Sequence, residues 1–293
     1  MTTPHRPTSA RWRAAAIACS AMLALSVTAF VPAPTVEAPA GPWADAAAAT
    51  IHPGVQLVTD GAQCTANFIF ERFVPRTDGS FVRELFIGYA AHCAGLGEST
   101  DTNGCLTGSA PIGTTVKIDG ATKDGTLAYS SWGTMVANND SNSDRCSYND
   151  FALVKIHPAD HSRVNPSVPA MGGPVALGTS TSFGSRVYSY GNSGLRFGLS
   201  SLSPKTGYSL GTSGNGWTHT VYTATPGIPG DSGSGFMDAN GRAFGVTSTV
   251  AIAPYAGSNG ISDLRLGLAY ANANTATADY VLAPGTESFV GYP

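Results

Sequence analysis

The chain has 293 residues, 42% of them hydrophobic, and a formal net charge of −3 at pH 7. This length accommodates one large domain or two small ones, and the lack of any block of like charges argues against a nucleic-acid-binding face. Only 12% of the residues are charged, which is typical of an exported, β-rich protein rather than a cytosolic one.

The first 40 residues have the features of a secretory signal peptide. Arg6, Arg11 and Arg13 precede the apolar run of residues 14–27. That run is too short to span a bilayer and has the length of a signal-peptide core. Small residues allow cleavage after about residue 29 or after residue 40; an uncleaved membrane anchor is the alternative. We therefore expect a secreted, extracellular protein in which residues 41–50 form a short leader.

The cysteines predict disulfides and no metal site. Cys19 lies in the apolar run and is expected to be discarded with it. Four cysteines remain in the exported chain, an even number that predicts two disulfides with three possible pairings; they are Cys64, Cys93, Cys105 and Cys146. No CxxC or HExxH spacing is present, so we expect no metal and no cofactor.

From Ile51 onward, short strand-like segments alternate with turn sequences. The strand-like segments are "CTANFIF", "ELFIGYA", "TTVKI", "FALVKI", "RVYSY", "THTVYT" and "AFGVTSTV". Turn sequences such as "TDG", "GNSG" and "DANG" separate them. Regular short strands between Gly/Asn turns indicate an all-β barrel or sandwich.

One segment, "SDLRLGLAYANAN", has a helical pattern. Ser262 or Asp263 would cap this helix at its N-terminus. Its apolar face would be formed by Leu264, Leu266, Leu268 and Ala269. The Pro-rich stretch "NPSVPAMGGP", residues 165–174, would join two halves of the chain.

The stretch "TPGIPGDSGSGF", residues 225–236, is either a surface loop or a catalytic loop. A serine nucleophile needs a histidine base, itself oriented by a carboxylate. The histidines beyond residue 50 all precede Ser232; they are His52, His92, His157, His161 and His219. This order argues against an esterase or lipase of the α/β-hydrolase type, in which the histidine follows the serine. Such enzymes also carry glycine two residues after the serine, where this chain has Ser234.

His92 and Asp150 are the partners that the sequence favours for Ser232. His92 ends the apolar segment "IGYAAHCAG" beside Cys93, and Asp150 directly precedes the apolar strand "FALVKI". Each residue alone fits a structural role, as a half-buried histidine or a strand-end turn. In the order His, Asp, Ser they together indicate a catalytic triad.

The segments "AAHC", "NDFALVKI" and "GDSGSG" together resemble the catalytic segments of the trypsin/chymotrypsin-like serine proteases, most closely the secreted actinobacterial members. The resemblance extends from about residue 51 to the end of the chain. It implies an all-β fold of two packed six-stranded antiparallel β-barrels with a short C-terminal helix. The first barrel would span residues 51–165, and residues 166–293 would form the second barrel and C-terminal segment, with the active site in the cleft between them.

The resemblance also implies a role for each motif residue. His92 would be the general base, Asp150 its orienting carboxylate and Ser232 the nucleophile. The backbone N–H groups of Gly230 and Ser232 would form the oxyanion hole, since glycine permits the sharp turn that this hole requires. A Cys64–Cys93 bridge is implied beside the histidine, which leaves Cys105 and Cys146 as the second pair.

Three features depart from the family pattern. The usual "GDSGGP" reads "GDSGSG", and no cysteine follows Cys146. The usual freed N-terminus "Ile-Val-Gly-Gly" is not found, and "IHPG" at Ile51 is a poor match. We therefore do not expect activation by a salt bridge from an Ile51 amine to Asp231.

By resemblance, the specificity pocket would be formed by Pro226, Gly227, Ser248 and Val250, with Ser248 near Asp150. Neither residues 225–229 nor "TSTV", residues 247–250, include an acidic residue, so a basic substrate side chain in this pocket would lack a partner. The branched side chain of Val250 would narrow the pocket, which predicts cleavage after small or medium apolar residues. Cleavage after glutamate is the alternative if His219 reaches the pocket, although "WTHTVYT" suggests that His219 faces outward.

The sequence thus predicts a secreted serine endopeptidase that acts through an acyl-enzyme. The alternative is a catalytically inactive relative that serves as a binding module. We expect protein or peptide substrates, no nucleic-acid partner, no membrane association after signal cleavage, and a monomer.

Overall fold

A computed structural model describes residues 42–98, 101–250 and 256–292. The predicted signal peptide, with its apolar run, Cys19 and both candidate cleavage positions, lies outside this described part of the chain. Within that part, no helix combines the length and the apolar character needed to cross a membrane. The strands in chain order are β1 Gln56–Thr59, β2 Ala62–Thr65, β3 Ile69–Pro75, β4 Phe81–Tyr89, β5 Thr115–Ile118, β6 Gly125–Ser130, β7 Ala152–Lys155, β8 Ala176–Leu177, β9 Arg186–Tyr190, β10 Pro204–Ser213, β11 Thr218–Thr223, β12 Gly235–Asp238, β13 Arg242–Val250, β14 Asn259–Asp263 and β15 Val281–Leu282.

Strands β1 to β7 form the first barrel. The strand order in this sheet is β15-β3-β4-β7-β6-β5-β1-β2, with antiparallel pairing throughout. Strands β2 and β3 stand at or near opposite ends of that order, yet only residues 66–68 separate them in the chain. Counted as one divided strand, they give six strands that run round a barrel, and β15 pairs with the outer side of β3.

Strands β9 to β14 form the second barrel. The order β12-β9-β10-β11-β14-β13 is closed by pairing of β12 with β13, which gives a six-stranded ring. Strand β8 is an additional, parallel partner of β13. The prediction of two antiparallel β-barrels is therefore confirmed, with these two short extra strands.

Strand β4 carries the candidate base to the cleft. Asp78 Oδ1 accepts a hydrogen bond from the Ser80 N–H at 2.9 Å in the predicted "TDG" turn that joins β3 to β4. The exposed start of β4 gives way to five buried residues at its end. A 3₁₀ helix, Ala91–Ala94, follows directly and contains His92. A buried strand end thus fixes the backbone from which His92 projects.

The described residues contain four α-helices: α1 Gly104–Thr107, α2 Ser131–Ala137, α3 Ser143–Tyr148 and α4 Leu264–Ala273. Helix α4 is the predicted one, and Asp263 is its N-cap, accepting the Leu266 N–H at 2.7 Å. The predicted apolar face is partly wrong, because Ala269 is exposed, whereas the buried positions are Leu264, Gly267, Leu268 and Ala271. The other three helices have four to seven residues and were not identified from the sequence, because such short helices show no helical period.

The two barrels share a hydrophobic core. One buried cluster includes Phe70, Phe86 and Phe151 of the first barrel and extends to Met237 and Val246 of the second. A smaller buried cluster fills the second barrel and consists of Val187, Val221, Phe236, Phe244 and Ile261. Burial of each such side chain contributes about 1.5–3 kcal/mol, so the shared cluster stabilises both barrels together.

Residues 42–50, which the sequence assigned to a leader, lie against the first barrel. The Arg83 guanidinium stacks 4.1 Å from the Trp43 ring centroid, and the Ala44 N–H donates to the Val164 carbonyl at 3.0 Å. Ile51 is fully buried, and its N–H donates to the Arg163 carbonyl at 3.1 Å.

Candidate active site

His92 and Asp150 form a hydrogen-bonded pair. His92 Nδ1 lies 2.7 Å from Asp150 Oδ2, and the His92 backbone N–H donates to Asp150 Oδ1 at 2.8 Å. The Ser248 hydroxyl donates to Asp150 Oδ2 at 2.6 Å, as the resemblance implied. Asp150 is buried, whereas the His92 side chain keeps 21% of its surface exposed. The carboxylate therefore fixes the ring while the ring remains accessible from the cleft.

The electrostatics of this pair favour a charged carboxylate and a basic imidazole. Burial by itself lowers the pKa of His92, but the charge and hydrogen bond of Asp150 outweigh burial and raise that pKa above its ordinary value. Burial by itself raises the pKa of Asp150, and the His92 and Ser248 interactions outweigh it, so the pKa of Asp150 is lowered.

Ser232 lies in the same cleft as His92 and Asp150. This cleft has a volume of about 710 Å³ and is lined from both barrels, with Gln63 and Trp132 on one side and Gly230 and Val250 on the other. In the described part of the chain, the Ser232 hydroxyl makes no hydrogen bond. Catalytic hydrogen bonds are often long without substrate. The observation that places Ser232 near His92 is therefore that both residues line the same cleft.

The loop around Ser232 leaves two N–H groups without an acceptor. The Asp231 N–H donates to the Ile228 carbonyl at 2.9 Å. The Gly230 and Ser232 N–H groups on either side have no acceptor among the described residues. The backbone of the same loop is held from the first barrel, since the Thr65 N–H donates to the Ser232 carbonyl at 2.8 Å and the Thr65 hydroxyl to the Gly230 carbonyl at 2.7 Å. Such paired, unoccupied donors are what an oxyanion hole requires.

Asp231, next to Ser232, is buried between two cations. Its Oδ2 accepts from Lys205 Nζ at 2.6 Å and from Arg196 Nη2 at 2.5 Å. Burial raises the pKa of Asp231, and Lys205 and Arg196 outweigh that effect and hold it below its ordinary value. Asp231 is thus ion-paired without an Ile51 amine, in agreement with the poor match of "IHPG".

The predicted pocket residues are only partly brought together. Gly227, Ser248 and Val250 line the cleft, and a Cβ added at Gly227 would lie 3.2 Å from Val250 Cγ2. Pro226 is exposed and does not line the cleft; its carbonyl accepts from Lys205 at 3.4 Å. The first-barrel side of the cleft also carries the carboxylates of Glu98 and Asp101.

The expectation that His219 faces outward was wrong. Its side chain is fully buried, with Nδ1 2.8 Å from the Thr212 hydroxyl and Nε2 2.9 Å from Asp263 Oδ2. Its ring packs edge-on against Phe244 inside the second barrel. The side-chain alternation of β11 was misassigned because the partner that satisfies this histidine lies 44 residues away in the sequence.

The structure adds residues that sequence patterns did not indicate. Thr65 and Gln63 bind the Gly230 carbonyl, Ser193 binds the Pro229 carbonyl, and Arg196 and Lys205 bind Asp231. None belongs to a recognisable motif. A lysine and an arginine within polar, glycine-rich segments of a chain with few charges were the only available signal.

Cysteine ligands for a metal are not available near His92. Cys64, His92 and Cys93 place ligand atoms within 4.8 Å of one another. Cys64 and Cys93, however, are bonded to each other, and Cys105 is bonded to Cys146, the pairs implied by the resemblance. Because metals bind the free thiolate, this cluster offers only the imidazole.

Among the known proteins compared with this chain, only solved structures are similar to it. No family model matches the chain, and no curated protein matches it. Protease A of Thermobifida fusca is 17% identical with a TM-score of 0.47, covering 80% of this chain and 99% of that one. A Nocardiopsis protease is 17% identical with a TM-score of 0.41, covering 79% and 98%. A Cellulomonas bogoriensis chymotrypsin is 20% identical with a TM-score of 0.41, covering 75% and 95%.

These neighbours are actinobacterial serine proteases of the trypsin/chymotrypsin fold, the type that the sequence motifs resemble. In this chain, the first barrel, the closed six-stranded second barrel and the cleft between them define a protein of the double-barrel, chymotrypsin-like fold.

Proposed function

We propose that the protein is a secreted serine endopeptidase that hydrolyses peptide bonds through an acyl-enzyme. The observation that carries this proposal is one cleft that contains Ser232, the His92–Asp150 pair, and the N–H groups of Gly230 and Ser232, which have no acceptor in the described part of the chain. Nucleophile, base, orienting carboxylate and oxyanion donors are the groups that acyl transfer needs.

Each group has one role in the proposed reaction. Ser232 Oγ attacks the scissile carbonyl carbon while His92 Nε2 takes the hydroxyl proton, and Asp150 stabilises the resulting imidazolium. The Gly230 and Ser232 N–H groups bind the oxyanion, where one donor is worth about 3–4 kcal/mol. His92 returns the proton to the departing amine, which leaves the acyl-enzyme. Water then attacks the ester by the same route, releasing the acid and restoring Ser232.

An inactive binding module is the alternative function. Such a relative would have no need to keep a buried carboxylate hydrogen-bonded to both the ring and the backbone of His92, nor two N–H groups without acceptors. These features therefore favour catalysis over binding alone.

A fluorophosphonate probe tests the nucleophile directly. We expect it to label Ser232, and we expect Ser232→Ala to abolish labelling and to lower peptide turnover by about 10⁴–10⁶-fold. Ser234→Ala is the matched control, because this neighbouring serine is hydrogen-bonded to the Thr247 hydroxyl at 2.8 Å inside the barrel and should leave labelling intact. A Ser232→Ala protein that cleaves at about a tenth of the wild-type rate would contradict the proposal.

Export is supported by the disulfides. Two bonded pairs, Cys64–Cys93 and Cys105–Cys146, form and persist in an oxidising compartment. Together with the apolar run of residues 14–27, they support secretion. Detection of the processed protein in the culture medium tests this point, and retention of the full-length chain in the cell would contradict it.

We further propose that cleavage follows small or medium apolar residues, such as Ala, Val or Leu. The second-barrel wall of the cleft carries no carboxylate among its described residues, and Val250 directly faces Gly227. A buried cation without a partner costs several kcal/mol, so lysine and arginine are disfavoured. The hydrogen bonds of His219 to Thr212 and Asp263 remove the main reason to expect cleavage after glutamate.

A panel of fluorogenic tetrapeptides that differ only in the residue before the scissile bond tests this preference. We expect the highest kcat/KM after alanine, valine or leucine. Val250→Gly should shift the optimum toward larger apolar residues, because it removes the side chain that faces Gly227. Best cleavage after arginine, lysine or glutamate would overturn the preference while leaving the proposed peptidase activity in place.

A further inference from the structure

Ser193 holds the peptide bond that carries one oxyanion donor. Its hydroxyl donates to the Pro229 carbonyl at 2.5 Å, and the Ser193 side chain is buried. In a trans peptide the carbonyl and the following N–H point in opposite directions. The hydrogen bond to the Pro229 carbonyl therefore aims the Gly230 N–H away from Ser193.

Ser193 is itself held on two sides. Its N–H donates to Asp231 Oδ1 at 3.2 Å, and its Oγ accepts from the Leu195 N–H at 3.1 Å. Accepting this bond directs the hydroxyl hydrogen toward Pro229. In the same turn, Arg196 binds the other oxygen of Asp231. A continuous series of bonds thus connects the buried Asp231 carboxylate to the Pro229–Gly230 peptide.

The Pro229–Gly230 peptide needs such an anchor. Gly230 has a φ of +95°, and glycine adopts either sign of φ at little cost. The next peptide has its own anchors, since the Gly230 carbonyl accepts from Thr65 and Gln63 and the Asp231 N–H donates to Ile228. Among the described residues, the Ser193 hydroxyl is the one group bonded to the Pro229 carbonyl.

We propose that Ser193 is a positioning residue for catalysis, which keeps the Gly230 N–H directed into the oxyanion hole. This role rests on the proposed peptidase function. Without the Ser193 hydroxyl, the peptide is free to rotate, and a carbonyl oxygen then replaces an N–H donor at the site where negative charge develops. The interaction that is lost is made in the transition state rather than in the bound substrate.

Three variants of Ser193 and one control test the role. Ser193→Ala removes the hydroxyl, Ser193→Thr retains it, and Ser193→Cys retains only a weak donor. Ser189→Ala is the matched control, because Ser189 is equally buried and its hydroxyl has no partner among the described residues. For each protein we would measure kcat and KM on one tetrapeptide amide, the inhibition constant of the corresponding peptide aldehyde, and the melting temperature.

We expect Ser193→Ala to lower kcat by about 10–100-fold with KM nearly unchanged. This loss does not exceed the 10²–10³-fold loss in kcat that is typical when an oxyanion-hole donor is deleted, because the donor itself is retained. The inhibition constant of the aldehyde, which forms a tetrahedral adduct, should rise by a similar factor. Ser193→Thr should stay within about threefold of wild type, and Ser193→Cys should fall between the two.

Several results would overturn the role of Ser193. One is a Ser193→Ala enzyme with unchanged kcat and aldehyde inhibition; another is a loss that appears in KM alone. If Ser193→Ala does not fold at the assay temperature, the ratio of Ser193→Thr to Ser193→Cys decides, and equal kcat values would refute the proposal. In each case an active wild type leaves the peptidase function standing. A wild-type protein that neither cleaves peptides nor reacts with a fluorophosphonate refutes both.

Discussion

At the scale of single residues, the charge state of the His92–Asp150 pair controls the proposed reaction. The imidazole must be neutral to accept the Ser232 proton. Asp150 stabilises the protonated ring, which aids proton transfer but also keeps His92 protonated to a higher pH. The pKa of His92 is raised above its ordinary value of 6.5 for this reason, although burial alone would lower it.

This shift predicts the pH dependence of activity. We expect kcat/KM to fall as pH decreases through the pKa of His92, with the midpoint above pH 6.5. Asp150→Asn should lower turnover about 10⁴-fold, and it should move the His92 pKa down, because burial then acts without the carboxylate. An NMR titration of His92 in both proteins measures this directly. A flat kcat/KM profile from about pH 5 to 9 would contradict the role of His92.

The same pair predicts that inactivation at mildly acid pH is not unfolding. Because the folded pKa of His92 is raised, its stabilising contribution is complete below pH 6.5 and is lost as pH rises through that folded pKa. Because the pKa of Asp150 is lowered from 3.8, its contribution is present above pH 3.8 and is lost only as pH falls below it. Between these limits the protein should be folded but without the proposed peptidase activity, and return to pH 8 should restore that activity.

At the scale of elements, the loop that carries Ser232 packs closely against the backbone of the first barrel. Gly233 has a φ of +87°, and a Cβ at this position would lie 2.6 Å from the Thr65 carbonyl oxygen and 2.9 Å from the Ala90 nitrogen. Ala90 precedes the helix that holds His92. The spacing between nucleophile and base therefore depends on the absence of a side chain at residue 233.

Alanine substitutions at two glycines separate this close contact from backbone strain. Gly61 has a φ of +91°, and no atom of the residues that the structure describes lies within 4 Å of an added Cβ, so Gly61→Ala should cost only about 1–2 kcal/mol of strain. Gly233→Ala adds overpacking against backbone atoms, for a total of about 2–5 kcal/mol. It should also lower kcat about 10²-fold, as a displacement of about 1 Å does. Urea unfolding measures the loss of stability, and kcat measures the loss of activity. Equal losses in the two variants would contradict the importance of the close contact between Gly233 and the first barrel.

Strands with apolar side chains were predictable from the sequence, whereas strands with buried polar side chains were not. The segments that became β4, β7 and β13 were predicted from their apolar runs. Strand β10 was missed because its inward positions include Lys205 and Ser209, which are buried with hydrogen-bonding partners from other segments. Strand β14 was missed for the same reason, since Asn259, Ser262 and Asp263 are all buried.

The site was predictable only as far as its motifs extend. His92, Asp150 and Ser232 were predicted as a candidate triad from local sequence motifs. The residues that hold the loop around Ser232 were not predicted. Ser193 lies 36 residues from Pro229, and Thr65 lies 165 residues from Gly230. Their roles are hydrogen bonds to backbone carbonyls, which impose no side-chain pattern on the partner and leave no trace in a single sequence.

At the scale of the whole molecule, the candidate site is complete only when both barrels are folded and packed. The first barrel supplies His92 and Asp150, and the second supplies Ser232 and the donor to Asp150, Ser248. The Asp150 N–H in turn donates to the Ser262 hydroxyl of the second barrel at 3.1 Å. Polar contacts therefore cross the cleft at the candidate catalytic residues, so we expect loosening of the barrels to remove the proposed activity before either barrel unfolds.

The two disulfides cross-link different parts of the chain. Cys64–Cys93 joins β2 to the 3₁₀ helix that contains His92 and closes a loop of 29 residues. Cys105–Cys146 joins α1 to α3 and closes a loop of 41 residues. On the chain-entropy estimate each contributes about 3–4 kcal/mol, because the contribution depends only weakly on loop length.

Removal of each disulfide should therefore cost similar stability but different activity. The test compares the double variant Cys64→Ala/Cys93→Ala with the double variant Cys105→Ala/Cys146→Ala, and each variant is the control for the other. Both should lower the unfolding free energy by about 3–4 kcal/mol. At a temperature where both variants remain folded, the first should lose about 10-fold or more in kcat, because it frees the backbone on either side of His92, and the second should keep most of its activity. Equal kcat per folded molecule in the two variants would show that the Cys64–Cys93 bond stabilises the fold without positioning His92.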